Sequence, residues 1–126
     1  MVFRSTVCAA LLSLASHASA ESLTPHVVST YPSPGAHVHP GKLKLAVTFD
    51  KPMRSGSYSF VEEKRGMFPE CASRPAQSAN KRTFKLECLV KPARRYEVWF
   101  NKGQFRNFVS EAGNPAEPAV LRFDTR

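Results

Sequence analysis

The chain has 126 residues, enough for one domain, and carries 18 Lys and Arg against 10 Asp and Glu, a formal net charge of +8. No apolar stretch reaches the roughly 20 residues of a membrane span. The sequence contains no glycine-rich phosphate-binding loop, no Gly-x-Ser-x-Gly motif and no RNA-binding aromatic motif. These absences argue against nucleotide-dependent, serine-hydrolase and nucleic-acid-binding functions.

The first twenty residues have the composition of a secretory signal peptide. Arg4 lies in a short, positively charged N-terminal region, and residues 7–15 form an apolar region rich in Ala and Leu. Residues 18–20 read Ala-Ser-Ala, which suits a cleavage site. We expect cleavage after residue 20, which removes Cys8 and leaves residues 21–126 as a periplasmic or secreted domain. Because Arg4 is the one charged residue removed, the net charge falls from +8 to +7.

Alternating apolar and polar residues organise the first half of this domain. Residues 42–53 show the longest alternation, which predicts a strand with one buried face. Residues 26–31 predict an earlier strand that ends at a proline and glycine turn. Residues 57–61 predict a short strand with Tyr58 and Phe60 on one side. The inward positions of the longest stretch are Leu43, Leu45, Val47 and Phe49.

Two segments that flank a polar loop predict a β-hairpin. Residues 71–75 and 83–89 lie on either side of residues 77–82, and Cys88 falls on the apolar face of the second segment. If the turn centres between residues 79 and 80, Cys71 and Cys88 lie directly opposite each other. Opposed Cβ atoms in an antiparallel pair are about 4.5–5.5 Å apart, so a structural disulfide is predicted. The pair lacks the Cys-x-x-Cys spacing of a redox site.

Two further strands complete the predicted fold. Residues 96–101 place Val98 and Phe100 inward and Trp99 outward, and residues 119–125 place Leu121 and Phe123 inward in the same manner. Short strands separated by proline and glycine turns, without an amphipathic helix, predict an all-β sandwich of about seven strands. Phe84 and Leu86 are expected to share its core.

Several pieces spread over nearly all of residues 21–126 form a family pattern. Together they resemble the bacterial Ig-like domains of the SbsA type. The resemblance implies an Ig-like sandwich at the cell surface or in the periplasm, with a structural or binding role and no catalytic residues. The pieces are VSTYPSPG at 28–35, LAVTFDKPM at 45–53, TFKL at 83–86, PARRY at 92–96, GNPAEP at 113–118 and LRFDT at 121–125.

Tyr96 begins a late strand and resembles the tyrosine of a tyrosine corner, whose hydroxyl bonds back to the upstream turn. The alternative is an ordinary core tyrosine. In antibody domains a cysteine follows two positions later, where this chain has Val98. The predicted 71–88 disulfide therefore lies within one hairpin and does not join two sheets.

Exposed residues on and after the strand at 96–101 form a candidate binding surface. Trp99 points outward, and exposed aromatic side chains beside arginine are good anchors for a partner. We expect an envelope protein or an anionic envelope polymer as the partner. The alternative is that residues 102–110 cover Trp99 and that the charges are solvated. The surface comprises Arg94, Arg95, Trp99, Lys102, Phe105 and Arg106, with Phe108 as a further aromatic.

Three histidines suggest an alternative function as a metal carrier. His37 and His39 lie on the same side of an extended segment, and His26 is close in sequence. Imidazole suits copper and zinc, and periplasmic copper-binding proteins of the CopC type have a similar exported sandwich. That family uses a histidine at the mature N-terminus and one near the chain's end, whereas no histidine follows His39 here. The main prediction is a domain without cofactor or catalytic residues.

Overall fold

The computed structural model describes residues 22–126, and the predicted signal peptide with Cys8 lies outside the described residues. Within residues 22–126 the chain forms nine β-strands and no helix. Five strands are at least five residues long, and four have two residues each. In chain order they are β1 (Val27–Tyr31), β2 (His37–Val38), β3 (Gly41–Phe49), β4 (Phe60–Val61), β5 (Glu70–Cys71), β6 (Ala76–Gln77), β7 (Thr83–Val90), β8 (Arg95–Phe100) and β9 (Ala119–Thr125).

The strands form two sheets packed face to face. One sheet has the order β1-β3-β7-β5, with β6 also paired to β7, and the other has the order β2-β9-β8-β4. These orders correspond to the ABED and GFC sheets of an immunoglobulin domain, so the predicted Ig-like sandwich is confirmed. Nine strands replace the predicted seven because β2 and β6 are too short to show an alternation in the sequence.

The core lies between the two sheets and contains the predicted inward residues. Leu45 pairs with Leu86 and Val47 with Phe84 across β3 and β7. These side chains pack against those of β8 and β9, since apolar residues alternate inward on each of the four strands. The predicted core residues that are buried are Leu43, Leu45, Val47, Phe49, Phe84, Leu86, Val98, Phe100, Leu121 and Phe123.

Tyr96 forms a tyrosine corner at the start of β8. The backbone N–H of Lys91 donates to the Tyr96 hydroxyl at 2.7 Å, and the Tyr96 ring stacks on Phe123 with centroids 5.3 Å apart. The Arg94 N–H donates to the Thr125 hydroxyl at 2.9 Å. The turn between β7 and β8 is therefore held by two side-chain hydroxyls, and the tyrosine-corner interpretation is confirmed.

The N-terminal segment is divided between the two sheets. β1 pairs with β3, the chain crosses over at the predicted proline and glycine turn, and β2 then pairs with β9 in parallel. At the crossover Gly35 has φ 78° and donates its N–H to the Arg122 carbonyl at 2.7 Å. This division closes one side of the sandwich.

The predicted hairpin forms with a different register near its turn. Cys71 pairs with Cys88, but Ala76 pairs with Lys85, so the register shifts by two residues between β5 and β6. The Ala72 N–H still donates to the Glu87 carbonyl at 2.8 Å, and residues 73–75 then leave the ladder, which Pro75 cannot continue because it has no N–H. The predicted turn centre is therefore wrong by one residue, and the turn lies between residues 80 and 81. The pairing of the two cysteines is nevertheless as predicted.

The predicted strand at residues 57–61 is reduced to the two residues of β4. The Ser57 hydroxyl donates to the Asn107 carbonyl at 2.5 Å, and the Ser59 hydroxyl accepts from the Asn107 N–H at 2.9 Å. These serine side chains bind the loop after β8, and one further ladder bond runs from the Asn101 N–H to the Ser59 carbonyl at 3.1 Å. The outcome is a very short edge strand.

Candidate functional site

The side of the sandwich bounded by β4, β5 and β6 is open. Because these edge strands have two residues each, they leave a cleft of about 480 Å³ between the sheets. This volume lies within the roughly 300–1,000 Å³ of small-molecule sites in proteins. Half of its apolar lining is aromatic, and the apolar lining residues are Tyr58, Phe60, Val61, Phe68, Cys71, Ala72, Leu86 and Phe105.

The two walls of the cleft come from different sheets and are joined at one point. Tyr58 and Phe60 belong to the four-stranded side, and the segment after Cys71 belongs to the five-stranded side. The Tyr58 hydroxyl donates to the Ser73 carbonyl at 3.2 Å and bridges the gap. Since this bond is exposed, water can replace it at little cost, and the walls can separate there.

The disulfide secures the five-stranded wall. Cys71 in β5 is bonded to Cys88 in β7, and their Cα atoms are 3.9 Å apart. β5 has only two residues in the ladder, so few backbone hydrogen bonds hold it. The covalent bond therefore fixes a wall that the short strand secures weakly.

Phe105 and Phe108 have opposite environments, and the expectation that both are exposed is wrong for Phe108. Phe105 is 52% exposed at the cleft, whereas Phe108 is fully buried. The Phe108 ring lies 5.0 Å from Phe49, 5.1 Å from Phe60 and 5.1 Å from Phe84, measured between centroids. Phe108 therefore supports the cleft from inside the core and is unavailable to a partner.

Asn101 is a structural residue that sequence reasoning missed. Its side chain is buried; its amide donates to the carbonyls of Phe108 at 2.9 Å and Ala116 at 3.1 Å, and its oxygen accepts from the Phe108 N–H at 2.9 Å. The residue has φ 61°, a conformation that asparagine tolerates better than most residues. The sequence did contain a signal for this role, because Asn101 ends an apolar strand and is followed within two residues by Gly103.

The predicted surface around Trp99 is divided in two by the fold. Trp99 points outward from β8 and is half-buried, with the Lys102 Nζ 3.8 Å from its ring centre. Phe105 and Arg106 lie just beyond Lys102, on the cleft side. Arg95 begins β8 at its opposite end, about 13 Å from Trp99 at the usual rise per strand residue, and Arg94 precedes it.

A charged cluster on the outer face of β8 holds the segment between β4 and β5 against that strand. The Glu97 side chain is 2% exposed; its carboxylate accepts from Arg122 Nε at 2.9 Å and Trp99 Nε1 at 3.1 Å, and lies 3.8 Å from Lys64 Nζ. The Arg122 hydrogen bond holds the pKa of the Glu97 carboxyl below its ordinary value despite the cost of burial. The Glu97 N–H also donates to the Met67 carbonyl at 2.8 Å. This cluster binds the segment that carries Phe68 into the cleft.

The structure does not bring the three histidines together around one site. His26 lies at Asp50, where the His26 N–H donates to a carboxylate oxygen at 2.8 Å, and His37 bonds Asp124 on the other sheet. Burial raises the pKa of Asp50, but the His26 N–H bond and nearby cations outweigh it and leave the pKa below its ordinary value. His39 is exposed.

In the described part of the chain, neither of the two His–Asp pairs is hydrogen-bonded to a nucleophilic side chain. In the part of the chain that the structure describes, no serine, threonine or cysteine hydrogen-bonds either imidazole. Within the same residues no group of three His, Cys, Asp or Glu side chains has an arrangement that can hold a metal ion. Residues 22–126 also form no helix that is long and apolar enough to cross a membrane.

Comparison with known proteins gives a likeness of fold. No family model matches the chain, and no curated protein matches it significantly. A crystal structure of the S-layer protein rSbsC(31-844) matches with a TM-score of 0.53 and 18% identity over 81% of this chain. A structure of domains 1-6 of the surface layer protein SbsC matches with a TM-score of 0.54, also at 18% identity over 81% of this chain. The match spans 14% of each of those longer chains.

Proposed function

We propose that the chain is an exported, non-catalytic Ig-like module of the SbsA type with a structural or binding role in the cell envelope. The observation that carries the proposal is the fold shared with part of a surface layer protein over 81% of this chain. The sequence resemblance to SbsA-type domains supports the same proposal from the residues alone.

Export is supported by the predicted signal peptide and by the Cys71–Cys88 disulfide. Disulfides persist in the periplasm and outside the cell, whereas cytosolic proteins keep thiols reduced. The domain gains more from the cross-link than a larger one would, because a chain of this size buries only about 60–68% of its unfolded surface.

Fractionation of expressing cells tests the envelope location. We expect the protein in the periplasm or the medium, with an intact mass that lacks residues 1–20 and that rises by two hydrogens on reduction. A full-length, cytosolic protein with free Cys71 and Cys88 thiols contradicts the proposal.

The binding role is assigned to the cleft together with Phe105 at its mouth. Phe105 is held on a tight turn in which Lys102 and Phe105 exchange two backbone hydrogen bonds, of 2.8 and 2.9 Å. The exposed ring is therefore presented on a fixed backbone, which lowers the entropic cost of binding an apolar group.

The experiment is photo-crosslinking in envelopes through a benzophenone group placed at Arg106. The protein that carries the benzophenone and retains Phe105 should form an adduct with its partner. Phe105→Ala should remove that adduct. The matched control is Val28→Ala, because Val28 is 60% exposed but lies on β1, at the edge of the five-stranded sheet opposite the cleft. Equal adduct yields from the two variants contradict the assignment to the cleft.

A further inference from the structure

The turn between β7 and β8 has a rigid backbone. The tyrosine corner fixes its beginning through the Lys91 N–H, and its end is fixed by an exchange with β9, in which the Thr125 N–H donates to the Arg94 carbonyl at 2.9 Å. The Thr125 hydroxyl also donates to the Lys91 carbonyl. A turn held at both ends keeps the Cα positions of its side chains fixed.

The end of β9 lies beside this turn and adds another arginine. The Ala93 N–H donates to the Arg126 carbonyl at 3.2 Å, and the Arg126 N–H donates to the Val38 carbonyl at 3.0 Å. On the five-stranded side, Lys42 pairs with Leu89 just before the turn begins. The exposed cations gathered here, which we call the cationic end, are Lys42, Lys91, Arg94, Arg95 and Arg126.

Few carboxylates oppose this charge. Glu70 lies 3.7 Å from Lys91 Nζ, and Asp124, the cross-strand neighbour of Arg95, is bonded by His37. Among residues 22–126, the ion pairs within 4.0 Å include none made by the three arginines of the cationic end. Four of the five cations, Lys42, Arg94, Arg95 and Arg126, are therefore exposed and make no ion pair within 4.0 Å in the described part of the chain.

The cations are spread across the ends of both sheets. Lys42 belongs to the five-stranded sheet and Arg95 to the four-stranded sheet, and packed sheets lie about 10 Å apart. One small anion can contact only part of this surface, whereas an extended polymer with repeated anionic groups can contact all of it. Arginine side chains are planar forks that match carboxylates with two hydrogen bonds.

We infer that the cationic end binds an acidic polysaccharide, with Arg94, Arg95 and Arg126 donating to successive carboxylates along the sugar chain. A glycan fits better than single-stranded nucleic acid, because none of residues 22–126 places an exposed aromatic ring at the cationic end for bases to stack on. The inference rests on the proposed envelope location, since acidic polysaccharides are encountered there.

The test is titration calorimetry of the exported protein with polygalacturonate, a linear polymer with a carboxylate on each sugar. Salt is varied from about 20 to about 150 mM NaCl, because screening weakens contacts between exposed charges. Methyl-esterified polygalacturonate is the matched uncharged probe. We expect binding of the acidic polymer that weakens with salt and no binding of the ester.

Two double variants locate the site. Arg94→Ser with Arg95→Ser should weaken binding about tenfold and lower the slope of log affinity against log salt by about one to two. Arg54→Ser with Arg74→Ser removes the same charge from two exposed positions, one past the opposite end of β3 and one between β5 and β6, and should change the affinity less than about threefold. If the first double variant fails to fold, Lys42→Ser with Arg126→Ser replaces it with the same expectation.

Four results overturn the inference. They are equal losses in the two double variants, no binding of polygalacturonate at the lowest salt, duplex DNA binding as tightly as polygalacturonate, and binding to phosphatidylglycerol vesicles without binding to the polymer. Cell fractionation is independent of all four results. If the polymer-binding test fails, the proposed envelope location still holds, and a wrong location is detected by fractionation alone.

Discussion

The two ends of β8 differ in how they are held together. At the cationic end, hydroxyls of Tyr96 and Thr125 bond the backbone of a short turn. At the cleft, strands of two residues leave the sheets apart, and aromatic packing with one disulfide holds the walls. Hydrogen bonds fix the backbone of the first region, whereas burial and a covalent bond maintain the second. We therefore expect different substitutions to damage each region.

Phe108→Ala should have the largest effect, because it removes the ring that supports the cleft from inside the core. We expect a loss of about 3–5 kcal/mol in the free energy of unfolding, measured by urea denaturation. Phe105→Ala is the control and should cost less than about 1 kcal/mol, since its ring is half exposed. Similar losses for the two would mean that Phe108 does not support the cleft.

Removal of the disulfide should come next. Cys71→Ala with Cys88→Ala opens a loop with a sequence separation of 17 residues, worth about 3 kcal/mol of unfolding free energy in the chain-entropy model. Urea denaturation measures the loss relative to the oxidised wild type, and the reduced wild type should lose a similar amount. The Phe105 photo-adduct should also weaken, because the cleft wall is released. Unchanged stability in both samples would show that β5 does not need the bond.

The two tyrosine hydroxyls allow the regions to be compared by the same substitution. Tyr96→Phe leaves the Lys91 N–H without its buried partner and should cost about 1–2 kcal/mol. Tyr58→Phe removes an exposed bond to Ser73 and should cost at most about 0.5 kcal/mol. Thermal unfolding measures both. Equal shifts would remove the distinction between a corner held by hydrogen bonds and a cleft held by packing.

Acidification should give the smallest effect. The pKa of Glu97 is lower in the folded protein than in the unfolded chain, so its stabilising contribution is complete at neutral pH and is lost as the pH falls below about 4. Glu97→Gln should flatten the pH dependence of unfolding in this range. Glu87→Gln, at an exposed position on β7, is the control and should leave the curve unchanged. If the free energy of unfolding of the Glu97 variant still falls steeply below about pH 4, Glu97 is not the group responsible for the acid loss of stability.

The sequence predicted the parts of the fold in which each strand buries one face. β3, β7, β8 and β9 all show this alternation, and their inward residues form the core. β2 was missed because two residues carry no period and its partner β9 lies more than 80 residues away. The hairpin turn was misplaced because the register shift at residues 72–75 depends on how Pro75 leaves the ladder.

The candidate site was less predictable. The outward direction of Trp99 followed from alternation, but Phe108 lies in an irregular loop whose direction no period reveals. The cleft is lined by residues from several separate segments, and its existence depends on how short β4 and β5 are. Sequence alone also grouped Arg94 and Arg95 with Trp99. They are close in sequence, but in an extended strand two residues four positions apart are separated by about 13 Å.

The parallel pairing of β2 with β9 has a mechanical consequence. When tension pulls the N-terminal and C-terminal sides of the domain apart, two parallel strands slide past each other and their hydrogen bonds are loaded together in shear. An antiparallel hairpin pulled from its open end would break one bond at a time. The bonds loaded together join Gly35 to Arg122, Asp124 to Ala36 and Arg126 to Val38. The side of the domain closed by β2 is therefore the one whose hydrogen bonds resist stretching in shear.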